Sequence, residues 1–266
     1  FEDAKSLFIE TAEGPKEIQF GKAIIATGSR ATLPPAFDIK SSRVVTSTGA
    51  LELPDIPKKL LVVGGGYIGM ELGTVYAALG SEITIAEALG GILLGADADL
   101  VRLVQERAAK IFKEIRLNAK VTQMKRCAAG IEVLMTVGGE EKREVYDRVL
   151  VSIGRIPNAQ GLGLERTGVR VDPKGFIQVD AGQRTAEPDL YAIGDVTGGM
   201  MLAHKASKDA RIAVDAILGI GHETKKAVIP AVVFTDPELA WCGLTEAAAK
   251  TRNIPVQIVK FPWAAS

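Results

Sequence analysis

The stretch that decides the fold reads Leu60-Leu-Val-Val-Gly64-Gly65-Gly66-Tyr67-Ile68-Gly69-Met70-Glu71-Leu-Gly73, and Glu87 closes the apolar run that follows it. Residues 60–63 read as a buried strand, 64–69 as a glycine turn, 67–79 as a helix and 82–86 as a second strand. Each glycine of this G-x-G-x-x-G has its own task. Gly64 permits the tight turn, Gly66 lets a diphosphate approach the backbone, and Gly69 lets the helix lie close to the strand. The helix N-terminus offers amide donors and a positive dipole end to the diphosphate. Glu87 stands where a carboxylate can accept both hydroxyls of an adenine ribose. The pattern predicts a dinucleotide-binding β-α-β unit. Glu87 would repel a 2′-phosphate, and Ala88-Leu-Gly-Gly-Ile-Leu-Leu94 holds no Lys or Arg to neutralise one, so NAD is expected over NADP.

With 266 residues the chain has room for about two domains. Its aromatic share of 5% against 47% hydrophobic residues fits an Ala/Val/Ile/Leu-rich α/β core. Lys+Arg and Asp+Glu both total 32, so no global field favours nucleic acid or an anionic membrane as a partner. No apolar run is long enough to span a bilayer, and Phe1-Glu-Asp-Ala-Lys is not a signal peptide. Cys127 and Cys242 stand far apart without metal spacing, which points to a reducing, intracellular setting, ordinary packed thiols and no metal site. The chain opens without Met inside a hairpin pattern and stops at Phe261-Pro-Trp-Ala-Ala-Ser266 after a strand-like run. An internal segment of a longer polypeptide is therefore expected.

Ahead of the glycine turn, residues 7–11 and 16–20 are strand candidates joined by Ala12-Glu-Gly-Pro15, and residues 22–29 form a buried strand ending in a polar turn. Beyond Glu87, Asp97 is placed to cap a helix whose Leu100, Leu103, Val104, Ala108, Ile111 and Phe112 share one face. Residues 119–125, 131–137 and 142–146 predict a three-stranded meander, and 148–155 another buried strand. A meander leading to a strand and glycine thus occurs twice, at Gly28 and at Gly154, which implies two nucleotide-binding domains of one design. Strands are further expected at 175–180, 190–195, 231–235 and 256–261, and helices at 201–218 and 244–250. After Gly221 the pattern reads as the start of a third, α+β domain.

Several motifs in one order carry a family likeness. They are Ala26-Thr-Gly28-Ser29, the Gly64 to Gly73 run, Ile153-Gly-Arg155, Tyr191-Ala-Ile-Gly-Asp195, Met201-Leu-Ala-His204, Thr235-Asp-Pro-Glu238 and Gly243-Leu-Thr-Glu246. Over essentially its whole length the chain resembles the two-dinucleotide flavoprotein disulfide reductases, most closely the dihydrolipoamide dehydrogenase branch. The resemblance implies an α/β, two-dinucleotide-binding fold with a parallel sheet, a three-stranded meander and the start of an α+β dimerisation domain. It divides the chain into an FAD-domain segment (1–35), an NAD-binding domain (36–156), a central FAD segment (157–227) and the beginning of the dimerisation domain (228–266). It also implies an enzyme that reoxidises protein-bound dihydrolipoamide through a redox disulfide and FAD and passes hydride to NAD⁺. Such an enzyme would be cytoplasmic, or in the mitochondrial matrix of a eukaryote. Its partners would be a second copy, through a domain beginning near Val228 with Val232, Phe234 and Trp241 incompletely covered, and lipoyl domains of 2-oxo acid dehydrogenase or glycine cleavage complexes.

By the same resemblance Gly64, Gly65, Gly66, Tyr67, Ile68, Gly69, Met70 and Glu71 line the NAD pyrophosphate and nicotinamide. Glu87 takes the ribose, Val121 flanks the adenine, and Gly154 approaches the nicotinamide end. Thr27, Gly28 and Ser29 border the FAD, Asp195 accepts from its ribityl chain, and Met201, Leu202, Ala203 and His204 bring a helix N-terminus to the flavin. Taken singly, some of these read otherwise: Glu71 as a helix-surface carboxylate, Gly194-Asp195 as a plain turn, His204 as a surface or cap histidine. His222 reads as solvated.

The departures concern activity. The sequence has no C-x-x-x-x-C, no His-Pro with a downstream Glu and no amino-terminal FAD fingerprint, so the segment alone is expected to be inactive and no catalytic residue is assigned within it. The nearest rivals are a mercuric, glutathione or trypanothione reductase or a soluble transhydrogenase. A non-catalytic NAD-binding module is the reading from a different class.

Overall fold

Four apolar side chains in a row, Leu60 to Val63, cannot have one wet face, and the chain buries this strand on both sides. In the computed structural model, which describes residues 1–220 and 228–262, Lys59–Val63 lies at the centre of a five-stranded parallel sheet. The order across it is Val44–Thr46, Arg148–Val151, Lys59–Val63, Glu82–Ala86 and Glu114–Arg116. Alternate residues serve two cores. Leu60 and Val62 join Ile83, Ile85 and the helices Tyr67–Ala78 and Ala98–Ile111, whereas Leu61 and Val63 join the meander. That meander is Ala119–Cys127, Gly130–Val137 and Glu140–Tyr146, all antiparallel, with a register shift between Leu134 and Met135. Fully burying each such Val, Leu or Ile is worth about 1.5–3 kcal/mol. The α/β class with a parallel sheet and a three-stranded meander is therefore as the sequence implied.

The helix Tyr67–Ala78 starts at Gly66 and ends in a Schellman turn. Gly80, at φ +103°, donates to Ala77, and Ser81 donates to Tyr76. Tyr76 is buried and its hydroxyl donates to the Ala50 carbonyl at 2.7 Å.

Two compact units are distinguished, Phe1–Thr32 with Gly154–Ile229, and Leu33–Ile153 with Pro230–Ser266. The sheet and meander belong to the second. There the hairpin Pro230–Val233 and Leu239–Cys242 puts Val233 and Leu239 into the core beside the helix Ala98–Ile111. The first unit holds the hairpin Ser6–Thr11 and Gly14–Gln19, the parallel pair Ala23–Ile25 and Leu190–Ala192, the antiparallel pair Ser29–Ala31 and Arg155–Pro157, and the helix Ala203–Ile217. Its core is Ile25, Ala159, Leu164, Ile177, Ala192 and Val196.

Several expectations need correction. The buried face of the helix Ala98–Ile111 is Val101, Val104 and Ala108, while Leu100 and Leu103 are 38% and 49% exposed. Both stripes have helical spacing, and the γ-branched pair turned out to face water. Asp97 occupies the N-cap position but caps nothing in its own helix; its Oδ1 accepts the Glu246 amide at 2.7 Å. Residues 175–180 form only an isolated bridge, Ile177 to Val171. The last helix of the first unit begins at Ala203, two residues later than read, and the helix at 244–250 is Glu246–Thr251. Residues 256–261 form no strand: they are exposed, and no described strand pairs with them. Leu239–Cys242 is a strand that the sequence did not disclose. Phe234, by contrast, is 66% exposed, and Val232 and Trp241 are half-buried, so the three are incompletely covered as expected.

Candidate functional site

At the turn, the glycines are required by contact distances. A Cβ on Gly64, whose φ is +106°, would lie 2.5 Å from the Ser152 carbonyl oxygen. One on Gly69 would lie 2.0 Å from the Gly64 carbonyl oxygen and 2.8 Å from Ser152 Oγ. One on Gly66 would meet nothing within 4 Å, so the turn opens outward there and leaves room for a ligand against the backbone. The first intrahelical bond runs from the Met70 amide to the Gly66 carbonyl at 3.0 Å, and neither a side-chain cap nor an acidic residue occupies the first turn. An uncapped first turn without negative charge suits an anion. These features fit a dinucleotide diphosphate.

Glu87 is bound into the turn itself. Its Oε2 accepts the Gly65 amide at 2.6 Å and its Oε1 the Leu89 amide at 2.8 Å. Each carboxylate oxygen keeps lone-pair capacity for a hydroxyl donor, so the acid can hold both the turn and a ribose. The Glu87 carbonyl accepts the Ala119 amide at 2.8 Å, which sets Val121 two residues along the first meander strand. Val121 itself is buried in the meander core opposite Met135, so its side chain packs inward. Arg116, whose carbonyl accepts the Glu87 amide, directs its buried guanidinium to Glu114 at 2.6 Å and Glu144 at 2.9 Å. The Glu114 carboxylate, chiefly, raises the guanidinium pKa above its ordinary value despite burial. Arg116 Nη2 is thus already held by two carboxylates.

Glu71, expected to face a nicotinamide, accepts the Phe234 amide on Oε1 at 2.9 Å and so ties the nucleotide helix to the 230–242 hairpin. Gly154 belongs to the other unit. Its φ is +127°, and its carbonyl accepts the Thr32 amide at 3.0 Å.

In the first unit two of the expected flavin residues, Ser29 and Asp195, meet. Ser29 Oγ donates to Asp195 Oδ2 at 2.5 Å and accepts Arg155 Nε at 2.7 Å, while Arg155 Nη2 donates to the Ser29 carbonyl at 2.8 Å. Arg155 Nε also stands 3.8 Å from Asp195 Oδ2. Thr27 and Gly28 are laced to Asn158: Thr27 Oγ1 donates to the Asn158 carbonyl at 2.7 Å, Asn158 Nδ2 donates to the Thr27 carbonyl at 3.0 Å, and the Asn158 amide donates to the Gly28 carbonyl at 2.9 Å. Met201 and Leu202 precede the helix. Leu202 is its N-cap without a side-chain cap, and Ala203 and His204 are exposed in a first turn free of acids. A carboxylate for a polyol and a helix start without a side-chain cap for an electron-rich ring fit the ribityl and pyrimidine parts of a flavin. The chain has one G-x-G-x-x-G, so the fit covers part of that cofactor.

Arg155 and Asn158 had no role in the sequence reading, although Arg155 stood within a noted motif. A Gly-Arg-x-Pro-Asn run directly after a buried strand was the available signal. The two thiols differ: Cys127 is half-buried but Cys242 is exposed, contrary to the expectation of two packed residues. His222 lies outside the described residues. Among the described residues no helix is long and apolar enough to cross a membrane.

Comparison with known proteins follows this geometry. Residues 1–210 match the pyridine nucleotide-disulphide oxidoreductase family, and residues 229–266 match the dimerisation domain of the same name. The whole chain is 42% identical to a dihydrolipoyl dehydrogenase of Haemophilus influenzae and 45% identical to one of Bacillus subtilis. It spans 56% and 57% of their lengths, little more than half of each relative. Among solved structures, the HOCl-induced flavoprotein disulfide reductase RclA from Escherichia coli superposes with a TM-score of 0.87 at 32% identity, over 100% of this chain and 60% of that one. The chain belongs to the pyridine nucleotide-disulphide oxidoreductase family.

Proposed function

We propose that this chain is the NAD-holding part, and part of the flavin-holding surface, of an NAD-linked flavoprotein that reoxidises dihydrolipoamide. The observation carrying the reading is the open turn at Gly66 beside Glu87, whose carboxylate would repel a 2′-phosphate. Gly64 to Met70 hold the diphosphate by backbone amides and helix dipole. Glu87 accepts the ribose hydroxyls, Val121 backs the adenine through its strand, and Glu71 and Gly154 attend the nicotinamide end. Thr27, Gly28, Ser29 and Asp195 bind the flavin's sugar-alcohol chain. Met201, Leu202, Ala203 and His204 bring the helix N-terminus, with its positive dipole end, to negative charge on the ring. Bound FAD supplies the two-electron relay between a dithiol and NAD⁺.

The names of the curated relatives support dihydrolipoamide as substrate; lipoyl domains of 2-oxo acid dehydrogenase or glycine cleavage complexes would be the carriers that present it. On this reading residues 1–35 and 157–227 serve FAD, residues 36–156 serve NAD, and residues 228–266 contribute to a homodimer. Titrating NAD⁺ and NADP⁺ into the purified chain tests the nucleotide assignment, and tighter NADP⁺ binding overturns it. For the substrate, the product of the complete gene is assayed for NAD⁺ reduction with dihydrolipoamide. Turnover of glutathione disulfide instead would assign a sister reductase.

A further inference from the structure

Lys205 and Asp209 lie one turn apart on the helix Ala203–Ile217, and both are withdrawn from solvent, Asp209 to 5% exposure. Their charges meet at 2.7 Å between Lys205 Nζ and Asp209 Oδ2. An ordinary i,i+4 pair would stop there. Here the ammonium also donates to the carbonyls of Gly194 at 3.1 Å and Gly198 at 3.0 Å and to Thr197 Oγ1 at 2.9 Å. Asp209 Oδ2 accepts the Gly194 amide at 3.0 Å. Gly194 is thus gripped at both its N–H and its C=O, in a left-handed conformation of φ +74°, with Ala206 so close that an added Cβ would lie 3.1 Å from its methyl. The residue that follows this fixed point is Asp195.

A buried ion pair gives little net stability, because desolvation offsets the attraction, but it fixes geometry. We infer that Lys205 and Asp209 are positioning residues for Asp195: they pin the 194–198 turn so that the Asp195 carboxylate meets Ser29 and the flavin's polyol at a set angle. The inference rests on the reading of Asp195 as a flavin ligand. From the other side, Ser29 donates to the same carboxylate and is itself held by Arg155, whose Nε stands 3.8 Å from Asp195 Oδ2. The acid is fixed at its backbone by one pair and at its side chain by another.

The test uses the FAD-loaded product of the complete gene and a mutant cycle read as FAD affinity on reconstituting apoprotein, with melting temperature recorded separately. The variants are Lys205→Met with Asp209→Asn, which leaves no orphaned charge and keeps an acceptor for the Gly194 amide, and Asp195→Ala. The paired change should weaken FAD by about tenfold, as for a displaced charge-assisted hydrogen bond. In an Asp195→Ala background it should cost nothing further, because coupled residues are non-additive. A full, additive loss in that background overturns positioning through Asp195. So does unchanged FAD affinity in the paired variant while Asp195→Ala still weakens binding, an outcome that leaves the flavin reading intact. Unchanged affinity in Asp195→Ala itself removes the flavin reading and this inference with it. If the paired variant does not fold, Lys205→Gln carries the same cycle.

Discussion

Replacing Glu87 by Ala should damage the protein even when no nucleotide is present. Two amides hang on this carboxylate, the buried Gly65 donor at 2.6 Å and the exposed Leu89 donor at 2.8 Å. Without the acid, Leu89, which is exposed, turns to water at little cost, whereas the donor of buried Gly65 loses the acceptor it has. An unmet buried donor costs about 1–3 kcal/mol. In a unit of this size that lowers the melting temperature by about 2–4 °C per kcal/mol. Losing the ribose acceptor adds a second, separate effect: NAD⁺ should weaken by about 10–100-fold, while NADP⁺, relieved of repulsion, weakens less. Differential scanning calorimetry of the nucleotide-free chain measures the first effect, and titration of both nucleotides the second. Glu87→Gln, which keeps one acceptor oxygen, should fall between wild type and Ala on both scales. A variant that melts with wild type in the absence of nucleotide refutes the anchoring of the turn. An unchanged NAD⁺ to NADP⁺ ratio refutes the ribose contact.

Gly69→Ala should cost more than any surface change, since its methyl would meet the Gly64 carbonyl at 2.0 Å and push the helix off the strand; a loss below about 1 kcal/mol by urea unfolding would contradict the packing. Val104→Ala should cost about 1–3 kcal/mol, whereas Leu103→Ser, on the exposed stripe, should stay within about 0.5 kcal/mol, and paired melts decide. Asp189 is held at a pKa of about 2, first by hydrogen bonding to Lys22 and then to Lys5, below its ordinary value near 3.8. A depressed folded pKa means stability present above about pH 4 and lost as pH falls towards 2. Acid titration of the melting temperature should therefore drop less steeply in Asp189→Asn, and parallel curves would dissociate Asp189 from that loss.

How much could be read beforehand depended on the range of the signal. The strand, turn and helix around Gly64 to Gly73 were legible nearly to the residue, because strand burial, glycine geometry and the helix start are all local. Glu87 was legible as an acid at the right distance, but its bonds to Gly65 and Leu89 were not, since carboxylate rotamers leave no periodic trace. On the helix Ala98–Ile111 Val104 and Ala108 were read as buried, but Val101 was missed and Leu100 and Leu103 were included, because which edge of an apolar stripe turns inward is set by the sheet and hairpin it packs on. The run at 256–261 has strand composition, yet a strand needs a partner, and pairing is a property of the whole chain. The Ser29, Arg155 and Asp195 cluster joins residues more than a hundred positions apart. Lys205 and Asp209 have the i,i+4 spacing of many solvent-facing pairs, and nothing local marks them as buried.

The hairpin at 230–242 has a consequence for how this protein can be cut and recombined. Its Val233 and Leu239 complete the same core as Leu60 and Ile83, Arg107 holds Asp236 through Nε at 3.0 Å and Nη2 at 2.8 Å, and Asp97 receives the Glu246 amide. Sequence order makes the segment from 228 look like a domain of its own, but from Pro230 onward it packs into the same compact unit as the helix Tyr67–Ala78. A nucleotide-binding fragment excised before Pro230 would carry a raw apolar wound along the helix Ala98–Ile111. A chimera that exchanged the carboxyl-terminal segment between relatives would have to exchange that helix face with it. The two are heritable only as a matched set.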